Sequence, residues 1–329
     1  MRTRLRLAAL GSLVLILGAA GFAAPAGQTP PPAQGGQGAA PQAGAAPGRG
    51  QGGRGFAPVV IGPAAPVPPE VAMLRPTPEE IAQINSALKK LVATDTSPAR
   101  ALLKKYESIL MMQPVRPNVA ATYTQTQQRM GPRHEGFVEI ANKGNIDLLL
   151  HGDSITDWWV SNDDNKAMFE KYFGGIRTAN FAVAGDTTQG VLWGLHNGEG
   201  QGFQPKAIML MIGTNNMGTN TAPEIAEGVG AVVLEMRHDF PNAKILLLAI
   251  FPRALPGDPV RARIAETNSI IARLDDQKHV FYMDIGPKFL DDKGVFLPDS
   301  FRTDNLHPQA KGYDIWGAAV KDKIAQLLK

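Results

Sequence analysis

Beyond residue 145, short apolar runs alternate with longer segments in which apolar residues recur every three or four positions. The apolar runs cover residues 146–151, 176–182, 207–212, 244–250 and 280–284, and the amphipathic segments cover 163–173, 188–196, 222–239, 259–277 and 309–328. Strands that are apolar throughout and alternate with helices indicate a parallel sheet with both faces covered. We therefore predict an α/β domain over residues 143–329, a three-layer α/β/α sandwich around a five-stranded parallel sheet.

A shorter helical segment, residues 69–142, precedes this domain. Thr77 and Pro78 form a helix start. Apolar residues then recur at helical spacing, at Ile81, Ile84, Leu88 and Leu91. A second helix is predicted over residues 97–111. Its apolar side chains are expected to form one face that packs on the following domain: Ala101, Leu102, Tyr106, Ile109 and Leu110. No candidate functional group stands out in this segment.

Residues 27–68 consist mainly of Gly, Pro, Gln and Ala and contain almost no large apolar side chain. Such a segment cannot bury enough surface to offset the entropy of ordering it, so we predict a disordered linker. Arg49 and Arg54, each between two glycines, resemble the RGG segments of RNA-binding proteins. Two arginines are too few to favour that interpretation.

Residues 1–26 have the three parts of a secretory signal peptide. A basic start is followed by an apolar stretch at 7–20 and by an A-x-A cleavage site at 24–26. We therefore expect export to the periplasm or the exterior, with no stable membrane span after cleavage. An uncleaved anchor is the alternative, although the apolar stretch is shorter than the roughly 20 residues that cross a bilayer.

The composition excludes several kinds of site. The chain has no cysteine, which rules out disulfides, thiolate metal sites and a cysteine nucleophile. Its 33 Lys and Arg residues exceed its 30 Asp and Glu residues by three, and the predicted signal peptide contains three arginines. The mature chain is therefore neutral and offers no electrostatic footprint for nucleic acid. The histidines lack metal-ligand spacing, so we expect no metal and no other cofactor.

Five residues with potential chemistry follow predicted strands: Ser154, Gly185, Asn215, Asp304 and His307. In a parallel sheet, functional groups gather at the carboxyl edge of the strands. A serine nucleophile needs an imidazole to accept its proton and a carboxylate to orient that ring, and Asp304 and His307 supply both within one loop. A glycine N–H and an asparagine amide can donate hydrogen bonds to a developing oxyanion.

Each of these residues also has a purely structural interpretation. Ser154 could be a helix N-cap, which its position alone favours. Asp304 could hydrogen-bond its own turn while His307 caps the helix that opens at Pro308. Glycine and asparagine are common in turns in any case.

Four sequence blocks, taken together and in order, resemble those of the SGNH (GDSL-like) hydrolases. They are residues 152–156 (GDSIT), 180–186 (NFAVAGD), 213–215 (GTN) and 304–308 (DNLHP). The resemblance spans residues 134–325. Within the family, the chain is most similar to the branch of the platelet-activating factor acetylhydrolase catalytic subunits. That similarity is carried by residues 185–189 (GDTTQ), 191–193 (VLW), 211–216 (MIGTNN), 251–253 (FPR) and 312–316 (GYDIW).

The resemblance implies a flavodoxin-like SGNH hydrolase fold and a role for each of the five residues. Ser154 would be the nucleophile, His307 the base and Asp304 the residue that orients it. The Ser154 N–H, the Gly185 N–H and the Asn215 side chain would donate to the oxyanion. Other residues that match family positions are assigned to structure: Asp153, Asp186, Arg253 and Trp193. Trp158 and Trp159 could equally form a wall of the cleft or part of the core.

The resemblance further implies a serine esterase that needs no cofactor and hydrolyses short-chain esters, acetyl esters first. Because an exported enzyme meets polysaccharides, a carbohydrate O-acetylesterase is the leading candidate, and a phospholipid-type or aryl-ester hydrolase is the alternative. A non-catalytic binding module on a hydrolase scaffold is a further alternative. The expected partner is a small-molecule or glycan ester, and the oligomeric state is left open.

Overall fold

The computed structural model describes residues 60–329, and these contain a single parallel sheet. Its strands are β1 Leu148–Gly152, β2 Thr178–Asn180, β3 Ala207–Met211, β4 Lys244–Leu248 and β5 Val280–Met283. The strand order is β2-β1-β3-β4-β5, and every neighbouring pair is parallel. The predicted five-stranded parallel sheet is therefore confirmed, and each strand overlaps its predicted apolar run.

Helices cover both faces of the sheet. Within residues 60–329 the α-helices are α1 Pro78–Thr94, α2 Arg100–Lys105, α3 Glu107–Leu110, α4 Pro132–Lys143, α5 Ser154–Ser161, α6 Lys166–Phe173, α7 Thr188–Gly194, α8 Ala222–Asp239, α9 Pro259–Ile271 and α10 Ala310–Leu327. Alternate strand residues point to opposite faces. Leu149 and Ile208 pack in a cluster with α4, α7, α8 and α9, whereas Leu148 and Met209 pack in a second cluster with α5, α6 and α10. This arrangement confirms the three-layer α/β/α sandwich.

The strand order reverses between β1 and β3, because β2 and β3 lie on opposite sides of β1. The register pairs Leu148 with Ala207 and Gly152 with Met211, so β1 and β3 end at the same level. In parallel sheets, loops that follow the strands at such a reversal diverge and open a crevice at the carboxyl edge. The fold thus places the segments that begin at Asp153 and Ile212 beside each other.

The N-terminal helices differ in part from the prediction. Helix α1 begins at Pro78 after the Thr77 N-cap, as expected. The second predicted helix is divided into α2 and α3, and neither has a buried residue. Leu102 is 61% exposed and Ile109 is 76% exposed, so the prediction that this face packs on the domain is wrong.

The end of the predicted linker also differs from expectation. The N–H of Ala65 donates to the Ala121 carbonyl at 2.9 Å, and the N–H of Tyr123 donates to the Pro63 carbonyl at 2.9 Å. A Cβ at Gly62 would lie 1.9 Å from the Tyr123 carbonyl oxygen, so only glycine permits this approach. Backbone pairing therefore orders the last part of the predicted linker, which composition alone could not reveal. Residues 1–59, with the predicted signal peptide and most of the linker, lie outside the described residues.

Candidate active site

The strand β1 delivers Ser154 to the carboxyl edge through a sharp turn. A Cβ at Gly152 would lie 2.2 Å from the Met211 carbonyl oxygen, so this turn requires glycine. Asp153 is the N-cap of α5, and its Oδ1 accepts from the Ile155 N–H at 3.0 Å. Because Asp153 takes the capping position, the hydroxyl of Ser154 is left for another partner.

That partner is His307, which lies 153 residues further along the chain. Ser154 Oγ and His307 Nε2 are 2.9 Å apart, and His307 Nδ1 and Asp304 Oδ2 are 2.7 Å apart. A proton on Nδ1, directed at the carboxylate, leaves Nε2 free to accept from the serine. The structure therefore brings all three predicted residues into one hydrogen-bonded relay.

Asp304 also organises the loop that carries the histidine. Its Oδ1 accepts from the backbone N–H groups of Leu306 at 2.9 Å and of His307 at 3.0 Å. Partial burial alone would raise the pKa of Asp304, but the hydrogen bonds from the His307 ring and from these two N–H groups hold the pKa below its usual value. The carboxylate is thus ionised at neutral pH, and it has both the turn role and the ring-orienting role.

The two adjacent tryptophans have separate environments. Trp159 is fully buried and packs against Phe173 and Tyr313, so it belongs to the core. The Trp158 ring stacks on the His307 ring with centroids 4.1 Å apart and 21° between the planes. Of the two, only Trp158 contacts the relay, and it restricts the orientation of the imidazole.

Gly185 and Asn215 lie in the loops after β2 and β3, respectively. Gly185 has a φ of +80°, a left-handed conformation that favours glycine. The Asn215 Nδ2 donates to the backbone carbonyl of Asp186 at 2.7 Å, which ties the two loops together. An amide nitrogen carries two hydrogens, so the second hydrogen remains available for a ligand.

Arg129 is a residue near the site that sequence reasoning missed. Its side chain is fully buried behind the Gly185 loop, and its Nε donates to Asp186 Oδ2 at 2.5 Å. It also pairs with Glu199 and donates from Nη2 to the Phe181 carbonyl at 3.0 Å. The sequence offers no signal for this residue, because residues 124–133 (TQTQQRMGPR) are mostly polar and do not predict burial.

Two carboxyl groups close to Ser154 are fully buried. Burial is the main cause that raises the pKa of Asp153 to about 7, while the hydrogen bond from the Ile155 N–H opposes the rise. Burial likewise raises the pKa of Asp186, and the charge of Arg129 opposes it. The Asp153 Oδ2 has no hydrogen-bond partner within residues 60–329, which fits a carboxyl group that holds a proton.

The remaining residues at family positions support neighbouring loops. Arg253 Nη1 donates to the Thr214 carbonyl at 3.1 Å and so braces the loop that carries Asn215. Trp193 packs against His134 with ring centroids 4.7 Å apart. In the part of the chain that the structure describes, no three His, Asp, Glu or Cys side chains cluster as metal ligands, and no helix is long and apolar enough to cross a membrane.

Comparisons with known proteins show which protein family this chain resembles. The family model of the GDSL-like lipases and acylhydrolases matches residues 150–315. Platelet-activating factor acetylhydrolase IB subunit alpha2 of Gallus gallus is 32% identical over 212 residues, covering 64% of this chain and 90% of the relative. The alpha1 subunit of Bos taurus is 28% identical over 196 residues, covering 59% of this chain and 82% of the relative.

Among solved structures, one from Streptococcus pneumonia, described as a platelet activating factor, is similar in fold. It has a TM-score of 0.50 and 21% sequence identity, and the match covers 58% of this chain and 91% of that chain. This likeness supports the arrangement of sheet and helices reported above.

Proposed function

The chain belongs to the GDSL-like lipase/acylhydrolase family, and we propose that it hydrolyses short-chain esters, acetyl esters first, through an acyl-enzyme on Ser154. The resemblance to the SGNH hydrolases and to the acetylhydrolase branch is confirmed. Family membership and the acetylhydrolase relatives make the protein a carboxylic ester hydrolase. The catalytic roles and the substrate that follow are our proposals.

The observation that carries the proposal is the relay from Ser154 through His307 to Asp304, with its distances of 2.9 and 2.7 Å. As Ser154 Oγ attacks the ester carbon, His307 Nε2 takes the hydroxyl proton and Asp304 stabilises the resulting imidazolium. The carbonyl electrons move to the oxygen. His307 then returns the proton to the departing alcohol, which leaves the acyl group on Ser154.

Water completes the cycle by the same route. His307 takes a proton from the water, which attacks the acyl carbon. The proton then returns to Ser154 Oγ as the bond from Oγ to the acyl carbon breaks, and the released carboxylic acid gives its own proton to the solvent. In both steps, the N–H groups of Ser154 and Gly185 and the Asn215 amide would stabilise the negative oxygen. The tie between Asn215 and the Asp186 carbonyl, at 2.7 Å, supports this assignment because it holds two of the donors side by side.

An acetyl ester is the first candidate substrate, since the curated relatives are named as acetylhydrolases. We propose a carbohydrate acetyl ester as the natural substrate, because an exported enzyme would meet acetylated polysaccharides. An acetylated phospholipid is the second candidate, and the relatives named for platelet-activating factor favour it. An aryl acetate is used in the assay below because its hydrolysis releases a coloured product.

The test is hydrolysis of a chromogenic acetyl ester by the purified chain and by Ser154→Ala. We expect the substitution to abolish turnover while the melting temperature stays unchanged, because within residues 60–329 the hydroxyl makes its hydrogen bond only to His307, on a partly exposed loop. Full activity in Ser154→Ala would refute the nucleophile assignment. Binding without turnover in the wild type would favour the non-catalytic alternative.

The alcohol part of the natural ester is identified by measuring acetate release from two substrates. One is an acetylated oligosaccharide, and the other is a phospholipid that carries an acetyl group. A preference for the oligosaccharide supports our first candidate, and a preference for the phospholipid supports the second. A series of chromogenic esters of increasing acyl length tests the acetyl preference. We expect the rate to fall as the chain lengthens.

We also propose that the chain is exported and cleaved after Ala26. Mass spectrometry of the protein recovered from the producing cell tests this directly. A mature N-terminus at Gly27 supports export, whereas an intact start at Met1 in a soluble extract contradicts it.

A further inference from the structure

We propose that Arg129 is a positioning residue, which acts through Asp186 to hold Gly185 and Asn215 in the geometry that stabilises the oxyanion. This inference rests on the proposed function. It also gives the N-terminal segment a part in the reaction, because Arg129 lies outside the residues 150–315 that the family model matches.

Arg129 clamps both ends of the loop that follows β2. Its Nη2 donates to the carbonyl of Phe181 at the start of the loop, at 3.0 Å, and its Nε donates to Asp186 at the end of the loop, at 2.5 Å. Thr126 adds a second bond to the same carboxylate, with its Oγ1 donating to Asp186 Oδ1 at 3.0 Å. The arginine is fully buried, so water cannot take over these bonds.

The clamped loop carries two of the three proposed oxyanion donors. Gly185 directly precedes Asp186 and has a φ of +80°, a conformation that the bonds to the Asp186 side chain hold in place. The backbone carbonyl of Asp186 accepts from Asn215 Nδ2 at 2.7 Å, so the asparagine amide is oriented by the same peptide. A displacement of Asp186 would therefore move both donors together.

The charge of Arg129 acts in the same direction. Its guanidinium faces two buried carboxylates, Asp186 and Glu199, and Glu199 also contacts the His134 ring, with 2.8 Å between Nδ1 and Oε1. Asp153 is a further buried carboxyl group near Asp186. Without the arginine, uncompensated negative charge would lie beside the place where the ester oxygen becomes negative, which disfavours the transition state.

The alternative is that Arg129 only holds the N-terminal segment on the domain. Three substitutions separate the two roles: Arg129→Met removes the charge and the donors, Arg129→Lys keeps the charge without the two-ended clamp, and Thr126→Val removes one hydroxyl at constant shape. Arg75→Met is the matched control. Arg75 also lies in the N-terminal segment and donates two bonds of 2.5 Å to the buried Glu227 on α8. Within residues 60–329, the Glu227 side chain accepts hydrogen bonds only from Met73, Arg75 and Asn118, and none from the Gly185 loop.

For each protein we would measure kcat and KM on the chromogenic acetyl ester, the melting temperature, and inhibition by a trifluoromethyl ketone. Ser154 Oγ adds to the ketone carbon and its proton passes to His307, so the former carbonyl oxygen becomes negative while no leaving group departs. The inhibition constant therefore depends directly on the oxyanion donors. If Arg129 had only a structural role, its substitution would leave this constant unchanged in the folded protein.

We expect both Arg129 variants to lower kcat by about 10- to 100-fold with little change in KM, since a displacement of roughly 1 Å at a reacting centre costs about 100-fold. The inhibition constant should rise in parallel with the fall in kcat/KM. Thr126→Val should show the same coupled change at about 3-fold, as one of several bonds to Asp186 is lost. Arg75→Met should have a lower melting temperature than the wild type but the same kcat and the same inhibition constant.

The inference is overturned if a folded Arg129 variant keeps kcat and inhibitor binding within twofold of the wild type. If neither Arg129 variant folds, Thr126→Val decides: unchanged kcat and inhibitor binding overturn the inference, and the coupled change supports it. Failure of the proposed function has a different signature, because Ser154→Ala in the same assay would then retain turnover or the wild type would show none.

Discussion

The two halves of the site are built in opposite ways. The strand-edge half, with Ser154, Gly185 and Asn215, rests on buried groups: Ser154 is 6% exposed and Asp186 is fully buried. The loop half contains Asp304 and His307, whose side chains are 44% and 16% exposed. The first half is fixed by the sheet and by long-range bonds, whereas the second is ordered mainly by hydrogen bonds within four residues of chain.

This difference predicts how stability and activity are coupled. Removing one partner of a buried charge pair costs about 3–5 kcal/mol of folding free energy, because the other charge is left unpaired. Bonds on an exposed loop can be replaced by water, so their loss costs little stability. Substitutions that break buried contacts of the strand-edge half should therefore change the melting temperature and the rate together. Those in the loop half should change the rate alone, as should Ser154→Ala, because in the described part of the chain the Ser154 hydroxyl bonds only to His307 of the loop half.

The largest effect is expected for Asp304→Asn in the loop half. The asparagine Oδ1 can still accept from Leu306 and His307, but its amide N–H faces His307 Nδ1 and favours the wrong tautomer. We expect kcat to fall on the order of 1,000-fold with an unchanged melting temperature. Asp299→Asn, at an exposed aspartate nearby, is the control and should behave as wild type. A large loss of stability in Asp304→Asn would show that the loop half also contributes to folding.

The next effect is expected for Asn215→Ala in the strand-edge half. The loss of one oxyanion donor should lower kcat by about 100-fold, and the loss of its bond to the Asp186 carbonyl should also lower the melting temperature. Asn220→Ala, in the same connection, is the control for removing an amide without touching the loop after β2. Unchanged turnover in Asn215→Ala would exclude this side chain from the oxyanion site.

Asp153 gives a test of the strand-edge half through pH. An ordinary aspartate titrates near 3.8, and burial raises the pKa of Asp153 to about 7. Between these values the folded chain binds a proton that the unfolded chain has lost, so the free energy of unfolding falls as the pH rises. We expect Asp153→Asn to gain on the order of 2 kcal/mol relative to wild type between pH 5 and pH 8, as measured by urea unfolding. An equal difference at both pH values would contradict the pKa shift.

The smallest effect is expected for Trp158, which stacks on His307 with centroids 4.1 Å apart. Aromatic pairs contribute about 0.5–1.5 kcal/mol, so Trp158→Ala should lower kcat by roughly 3- to 10-fold through a less restricted imidazole. Trp158→Phe keeps an aromatic ring and should recover most of the rate. Equal rates for the alanine and phenylalanine variants would show that the stack does not position the base.

The sheet and the positions of the site residues follow from local sequence patterns. Apolar runs such as 207–212 are buried on both faces, and only a parallel sheet between helix layers provides that environment. Ser154, Gly185 and Asn215 then share one edge because each follows a strand. No local pattern connects residues as far apart as Ser154 and His307. Their hydrogen bond was expected only from the order of the motifs that resemble the SGNH hydrolases.

The supporting contacts could not be predicted in the same way. Arg129 meets Asp186 and Glu199 at separations of 57 and 70 residues, and nothing in its own surroundings marks it as buried. The apolar spacing in α2 and α3 predicts a helix face but not whether another element covers it, and here Ile109 is exposed. Likewise, the sequence does not distinguish Trp158 from Trp159, because only the rotation of α5 decides which of them faces His307.

Activation of Ser154 by His307 can be measured by reacting the full chain with a fluorophosphonate and locating the adduct by peptide mass spectrometry. We expect one adduct, on Ser154, whose formation slows on the order of 1,000-fold in His307→Ala. An adduct on another serine, or labelling of Ser154 at the wild-type rate without the histidine, would contradict it.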